Sequence, residues 1–170
     1  MKKIIAFISL LFLVLSCDKG IEPYPEPVDP ENTAIAGTVT FSGEWPSGVA
    51  RTHIVLFRNQ IQNEGDFFPP NLSYVSNEID SGTTTLEYDS RTNNLLGVNL
   101  EPGTYRYIVV AQSTKEQLSL DRIDWFVVGV YYSGNDESRP GSIIINEGKV
   151  TEGVDIFCDF DNPPPQPPGG

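Results

Sequence analysis

The run Thr52-His53-Ile54-Val55-Leu56-Phe57 is the stretch of sequence that decides the fold. Successive side chains of a β-strand point to opposite faces of its sheet. Because this run is apolar at both alternating positions through its centre, it predicts a strand that protein covers on both faces. The chain is therefore expected to bury a sheet between two apolar layers.

Similar strand patterns lie on both sides of this run. Residues 34–41 place Ile35, Val39 and Phe41 on one face, and residues 83–88 are polar enough to predict an edge strand. Further strands are predicted at 95–100, 104–111, 125–132, 142–145 and 154–160. Seven or eight short strands with turn residues between them predict an all-β sandwich or barrel.

Three segments between these strands are read separately. Glu101-Pro102-Gly103 has proline and glycine where a type II turn needs them, so we predict a hairpin joining 95–100 to 104–111. Residues 114–122 contain good helix formers and are the best candidate for a short helix. Residues 59–77 form a long, weakly patterned segment, and loops of that length inside a compact domain are often functional.

The N-terminus predicts export. Two lysines precede a dozen apolar residues, which is the architecture of a signal peptide and too short for a comfortable membrane span. The junction Val14-Leu15-Ser16-Cys17 resembles the lipobox of bacterial lipoproteins. That resemblance implies cleavage after residue 16, alkylation of the Cys17 thiol by a diacylglyceryl group and acylation of the new amine. Several acyl chains hold a protein on a membrane without any transmembrane helix.

Proline-rich segments flank the central region. Residues 17–33 alternate prolines with acids and predict an extended tether, while residues 162–170 predict a disordered proline-rich tail. Residues 34–161 remain as one β-sandwich domain with its own core.

Charge limits the partners. The formal net charge is −12 and becomes −14 when residues 1–16, with Lys2 and Lys3, are removed. Nucleic-acid binding needs a basic surface, so nucleic acid is excluded as a partner. The membrane, reached through the lipid anchor, is an expected partner, and a carbohydrate or an envelope protein is a second. The predicted location is the cell envelope, on the outer rather than the inner membrane.

A family resemblance adds to this interpretation. Ile35-Ala36-Gly37-Thr38-Val39, then Leu100 to Tyr105, and then Gly148 to Ile156 resemble, in that order, the carboxypeptidase regulatory-like (transthyretin-like) β-sandwich domains. The resemblance implies an Ig-like sandwich and a non-catalytic role in binding or assembly. It implies no active-site residues, and a fold alone does not specify a ligand.

Residues that could carry chemistry are few. His53 is the only histidine, and its place inside a strand predicts a structural role. Cys158 lies on the same face of its predicted strand as Val154 and Ile156, which predicts a buried, inert thiol. We therefore predict no enzyme activity and no cofactor, and no zinc site. Calcium stays open because it accepts carboxylate oxygens. Its candidate ligands are Asp121, Asp124, Asp136 and Glu137.

Aromatic residues in loops are the best candidates for ligand contact. Trp45, Phe67 and Phe68 are expected to be exposed, where their rings could stack on the apolar face of a sugar. Two alternatives remain at this point. One is an envelope carbohydrate-active hydrolase that uses acids within residues 59–90, and the other is an accessory subunit of an envelope complex.

Overall fold

The computed structural model describes residues 28–134 and 136–169, which form an all-β domain. The helices described there are three short 3-10 turns, at Pro30–Asn32, Glu64–Phe67 and Arg122–Asp124. The predicted all-β fold is confirmed. The strands are β1 Ala34–Ser42, β2 Arg51–Phe57, β3 Leu72–Val75, β4 Thr85–Asp89, β5 Gly103–Tyr105, β6 Tyr107–Ser113, β7 Phe126–Val130, β8 Ile143–Ile145, β9 Val150–Thr151 and β10 Ile156–Asp159.

Several predictions fall on residues that are not described. The signal peptide, the lipidated Cys17 and most of the tether lie within residues 1–27. Within the described ranges, no helix has the length and hydropathy needed to cross a bilayer.

Eight strands form one curled mixed sheet, in the order β3-β2-β6-β7-β10-β1-β4 with β9 beside the start of β1. β1 runs parallel to both β9 and β10, and the remaining neighbours in this sheet are antiparallel. β5 and β8 form a separate two-stranded ribbon. The polar strand predicted at residues 83–88 is β4, and it lies at the edge of the sheet as predicted.

Two apolar clusters cover the two faces of β2. Ile54 and Leu56 belong to the main core, which the curled sheet and the β5–β8 ribbon enclose. Val55 and Phe57 belong to a second cluster on the outer face, together with Tyr107 and Trp125. The prediction that this strand is covered on both faces is confirmed. Long loops, rather than a second sheet, supply the outer cover.

Packing between β1 and β10 leaves little room in the main core. A Cβ added to Gly37 would lie 2.3 Å from the carbonyl oxygen of Val154, so a side chain at this position would require the backbone to move. Cys158 on β10 is fully buried, as predicted, and burial raises the pKa of its thiol to about 12. The thiol is therefore protonated and unreactive at neutral pH.

The predicted hairpin between residues 95–100 and 104–111 is wrong. Residues 95–100 form no strand, and β5 pairs with β8 instead. The Asn94 side chain accepts a hydrogen bond from the Gly97 amide at 3.1 Å and donates one to the Val98 carbonyl at 2.7 Å. Such local side-chain bonds compete with a strand ladder, and they leave Val98 exposed.

The short helix predicted at residues 114–122 is also absent, and only Arg122–Asp124 is helical there. A helix of nine residues is marginal unless an apolar face packs against the protein. Leu118 and Leu120 are exposed, so that packing is missing.

The C-terminal tail has a defined place, which differs from the disordered tail that its composition predicts. The Val127 amide donates to Gln166 Oε1 at 2.8 Å, and Gln166 Nε2 donates to the Val127 carbonyl at 2.8 Å. Arg122 Nη2 donates to the Pro167 carbonyl at 3.0 Å. The proline run lacks amide donors of its own. The Gln166 side chain attaches it to the sheet through two hydrogen bonds.

Candidate functional site

A groove of about 520 Å³ opens between the loop that follows β2 and the segment that leads into β5. Its volume is in the range of sites that bind small molecules, about 300–1,000 Å³. The residues that shape it combine one half-exposed aromatic ring with charged and amide side chains. They include Arg58, Asn59, Asp66, Phe68, Asn71, Leu72, Val98, Asn99, Glu101 and Tyr105.

Asn71 fixes the base of the first wall. Its side chain accepts from the Asn59 amide at 2.7 Å and donates to the carbonyls of Asn59 at 3.1 Å and Asp66 at 2.8 Å. Asp66 closes the turn above it, because its carboxylate accepts from the amides of Gln62 and Asn63. Asn63 and Asp66 form the capping box of the Glu64–Phe67 helix. The loop is therefore held by its own side chains.

That turn presents two consecutive phenylalanines in different directions. The rings of Phe67 and Phe68 are perpendicular, with centroids 5.7 Å apart. Phe67 packs on Phe57, 6.1 Å between centroids, and joins the outer cluster. Phe68 remains 39% exposed and lines the groove. Of the three aromatic residues predicted to contact a ligand, Phe68 is the one in this position.

Arg58 organises the second wall. Its guanidinium lies 4.8 Å from the centre of the Tyr105 ring and 2.7 Å from Glu101 Oε2. The Tyr105 hydroxyl donates to the Glu101 carbonyl at 2.9 Å, and burial raises the pKa of Tyr105 above its usual value. The hydroxyl therefore stays protonated as a donor at neutral pH. The Arg58–Glu101 pair is largely exposed on the Glu101 side, so it positions groups more than it stabilises the fold.

Gly103 makes room for that arginine. A Cβ at this position would lie 2.6 Å from Arg58 Nη1, and the glycine has a φ of 142°, which side-chain-bearing residues rarely adopt. The positive φ for which this glycine was predicted is therefore present, at the first residue of β5.

The groove can form hydrogen bonds of both kinds. Asn59 and Asn99 are exposed amides, and the Glu101 side chain is 81% exposed with one oxygen facing away from Arg58. Amides donate and accept, and a carboxylate accepts. Together with the Phe68 ring, they offer a ligand one apolar surface and several polar contacts. The Asp66 carboxylate accepts three hydrogen bonds from its own loop, all at Oδ2.

Trp45 lies away from this groove. Its ring packs on Phe41 and Phe160, with centroids 4.9 and 5.1 Å apart, and its Nε1 donates to the Thr83 carbonyl at 3.0 Å. It closes one end of the main core and is only half-exposed. The structure therefore does not bring Trp45 together with Phe67 and Phe68.

The carboxylates considered for calcium have partners of their own. Asp124 accepts from Ser119 Oγ at 2.5 Å and lies 3.7 Å from Lys115 Nζ, while Asp136 accepts from Ser138 and lies 3.6 Å from Arg139. Asp121 and Glu137 are exposed. Across residues 28–134 and 136–169, no group of three or more His, Cys, Asp or Glu side chains is arranged to hold a metal ion.

His53 is buried beside Trp125, outside the groove. Its Nδ1 lies 2.9 Å from the Ser76 carbonyl, and burial lowers its pKa below the usual value. Because a carbonyl can only accept, Nδ1 carries the proton of the neutral ring. Nε2 has no hydrogen-bond partner among the described residues. Burial of His53 agrees with the predicted structural role, but only one of its ring nitrogens is hydrogen-bonded.

Comparison of the chain with protein-family models, with curated proteins and with solved structures gives no significant match. The groove is therefore interpreted from its own geometry.

Sequence reasoning found Phe68 but missed the residues around it. Asn71 and Gly103 lie in segments that were singled out, yet their contacts depend on partners elsewhere in the loop or on another strand. Arg58 and Glu101 are separated by 43 positions, and no local pattern links them. A charged residue placed immediately after the apolar run of residues 54–57 is the one signal that could have marked Arg58.

Proposed function

We propose that the chain is a lipid-anchored, non-catalytic binding module of the bacterial cell envelope, and that the groove around Phe68 binds a saccharide. The observation that carries the proposal is the half-exposed Phe68 ring in one groove with the exposed polar side chains of Asn59, Asn99 and Glu101. A sugar ring has an apolar face that can lie on an aromatic ring. Its hydroxyls donate and accept, as these three side chains require.

The preformed walls support binding of a flexible polar ligand. Asn71 and the capping box fix one wall, and Tyr105 and Arg58 fix the other, so few groove side chains need to be ordered when a ligand arrives. Ordering a side chain on binding costs about 0.5–1.5 kcal/mol. A groove that is ordered in advance avoids most of that cost.

The carboxylates of the groove favour binding over hydrolysis. Glycoside hydrolysis typically uses a pair of carboxyl groups on either side of the scissile bond. Among the groove-lining residues, Asp66 holds its own loop through three N–H groups at Oδ2, and Glu101 is held by Arg58 at Oε2, so both carboxylates already have structural partners. The other oxygen of the exposed Glu101 suits a hydrogen bond to a sugar hydroxyl.

The place of the module in the cell is proposed from the N-terminal sequence. Cys17 would carry the lipid, residues 17–33 would hold the domain away from the bilayer, and the outer membrane is favoured over the inner. A groove on such a tethered domain would face the polymers of the envelope.

The test is saccharide binding with a matched pair of variants. Soluble glucans, xylans, mannans and peptidoglycan fragments are titrated by calorimetry into the domain and into Phe68→Ala. A phenylalanine side chain contributes about 150–250 Å², and at 39% exposure about 80 Å² is left to bury. At about 25 cal/mol per Å² this gives up to about 2 kcal/mol, so Kd should rise by about tenfold and by no more than about thirtyfold.

Phe126→Ala is the control, because Phe126 is a phenylalanine exposed on β7 and outside the groove. It should bind as the unmodified domain does. Equal weakening in the two variants, or no saccharide bound by the unmodified domain, would contradict the proposal.

A further inference from the structure

The C-terminal prolines lie in a second groove, which we call the tail groove. They border a cavity of about 310 Å³ whose other walls come from the loop after β2, from β6 and from the end of β7 with the segment that follows it. Ile61, Tyr107, Val130 and Tyr132 supply the apolar part of those walls, so two of the four side chains are aromatic. Among the described residues, the tail groove shares no lining residue with the groove around Phe68.

The tail enters this groove as a P-x-x-P segment, Pro164-Pro165-Gln166-Pro167. A proline-rich chain favours the polyproline II helix, which repeats every three residues. Burial follows that repeat, because Pro164 and Pro167 are half-buried while the other prolines of residues 163–168 are exposed. Docking of P-x-x-P segments on grooves lined with aromatic side chains is a recurring mode of peptide recognition. The tail and the two tyrosines of the groove match that mode.

Fixed polar groups of the domain hold the segment at two places. The Val127 amide and carbonyl pair with the Gln166 side chain, and Arg122 Nη2 donates to the Pro167 carbonyl at 3.0 Å. Arg122 is only 4% exposed, and its Nη1 donates to the Trp125 carbonyl, which fixes the guanidinium in place. Its Nε has no hydrogen-bond partner among the described residues. Because a buried charge with few acceptors is costly, the groove favours a bound segment that supplies a carbonyl at this position.

We propose that the tail groove is a recognition site for a proline-rich segment of another protein, and that the tail is an internal ligand that competes with that segment. The recognised chemistry is a P-x-x-P segment with a glutamine before its second proline, because Gln166 forms the side-chain pair with β7. This site is independent of the saccharide groove.

A segment of another protein can gain contacts that the tail does not make. The cavity of about 310 Å³ beside the prolines is space that the tail leaves unfilled, and Glu137 and Arg139 line it with charges of both signs. A partner with side chains next to its prolines can use that space. The tail of a second copy has the same sequence and gains nothing, whereas the attached tail has an effective concentration on the order of millimolar. Exchange of tails between copies is therefore disfavoured.

The test is competition between the attached tail and a free peptide. The protein is the predicted mature chain from residue 17 onward, with Cys17→Ala to prevent lipidation. The probe is a fluorescein-labelled synthetic copy of residues 161–170, and fluorescence anisotropy measures its binding. Gln166→Ala loosens the attached tail but leaves the groove unchanged, so it should bind the peptide about tenfold more tightly than the unmodified chain. Gln117→Ala replaces an exposed glutamine outside the groove and should bind as the unmodified chain does.

Matched changes in the peptide and in the groove test the recognition itself. A peptide with alanine in place of its glutamine should bind about tenfold more weakly, because it loses both hydrogen bonds to β7. In the Gln166→Ala background, Tyr132→Ala removes an aromatic wall and should weaken binding about tenfold. Phe157→Ala removes an aromatic ring that is 59% exposed on β10 and lies outside the groove, so it should leave Kd unchanged. The two peptides are also compared on the unmodified chain, so the test does not depend on the stability of a variant.

Three results would overturn the proposal. The first is the absence of saturable peptide binding to folded Gln166→Ala. The second is equal affinity for the glutamine and alanine peptides. The third is a dimer of the unmodified chain, detected by light scattering, that Gln166→Ala abolishes, because it would assign the groove to the tail of a second copy.

Discussion

Removal of the Gln166 side chain is the sharpest test of how the C-terminal segment is held. In the run Pro163-Pro164-Pro165-Gln166-Pro167-Pro168, only Gln166 has a side chain that can form hydrogen bonds, and the prolines have no amide proton. Gln166 pairs with both the amide and the carbonyl of Val127, each at 2.8 Å. It occupies the place at which a neighbouring strand would pair with β7.

The magnitude follows from these two bonds. Each hydrogen bond contributes about 0.5–1.5 kcal/mol net, and Val127 is buried, so its backbone groups depend on this partner. The two hydrogen bonds together contribute about 2 kcal/mol to stability. Release of the tail returns some conformational entropy, although prolines retain little to recover. We therefore expect Gln166→Ala to lower the free energy of unfolding by about 1–2 kcal/mol.

Urea unfolding followed by tryptophan fluorescence measures this loss, because Trp125 lies in the outer cluster near the tail. Gln117→Ala replaces another exposed glutamine for which the structure shows no hydrogen bond, and it should change stability by less than about 0.5 kcal/mol. Gln166→Glu keeps an acceptor for the Val127 amide but loses the donor, so it should lose at least half as much as Gln166→Ala. Equal stability of Gln166→Ala and Gln117→Ala would refute the interpretation of the tail as a bonded strap.

Two further predictions concern His53 and Cys17. Burial lowers the pKa of His53 below 6.5 in the folded protein, so the unfolded chain takes up a proton near that pH before the folded one does. The free energy of unfolding should therefore fall as the pH drops below about 6.5. The variant His53→Asn can still donate to the Ser76 carbonyl, and it should lose this part of the pH dependence. Identical pH profiles of unfolding free energy in the variant and the unmodified protein would contradict the prediction. Cys17→Ala should release the protein from membrane fractions or block its processing, and unchanged processing and retention on fractionation would disprove lipidation.

The strands were predictable where burial alone determines them. Residues 52–57 and 154–160 have apolar patterns that only a buried strand explains, and β2 and β10 lie there. Residues 95–100 have a comparable pattern and form no strand, because Asn94 binds the backbone locally and Gly97 takes a φ of 63°. Leu95 and Leu96 are then left exposed to solvent. Apolar periodicity cannot separate a core strand from a loop that exposes its leucines.

Only part of the groove could be predicted from the sequence, and the reason is topological. Exposure of Phe68 follows from its place in a long polar loop, and that expectation is met. The position of Arg58 over Tyr105 depends on β5 pairing with β8, some 40 residues further along the chain. Strand pairing at that separation is not encoded in either segment alone. Trp45 shows the converse, because a loop tryptophan expected to be exposed packs on Phe41 and Phe160 instead.

Strand alternation divides neighbouring residues between the groove and the outer cluster. Phe57 points to the outer cluster and Arg58, the next residue, points to the groove. The same division is repeated at the turn, where Phe67 packs in the outer cluster and Phe68 lines the groove, while Leu72 contacts both. Because the Phe68 ring is held edge-on against Phe67, and Phe67 rests on Phe57, the outer cluster sets where the groove presents its aromatic surface. The apolar packing behind the sheet is thus part of the geometry of the polar groove.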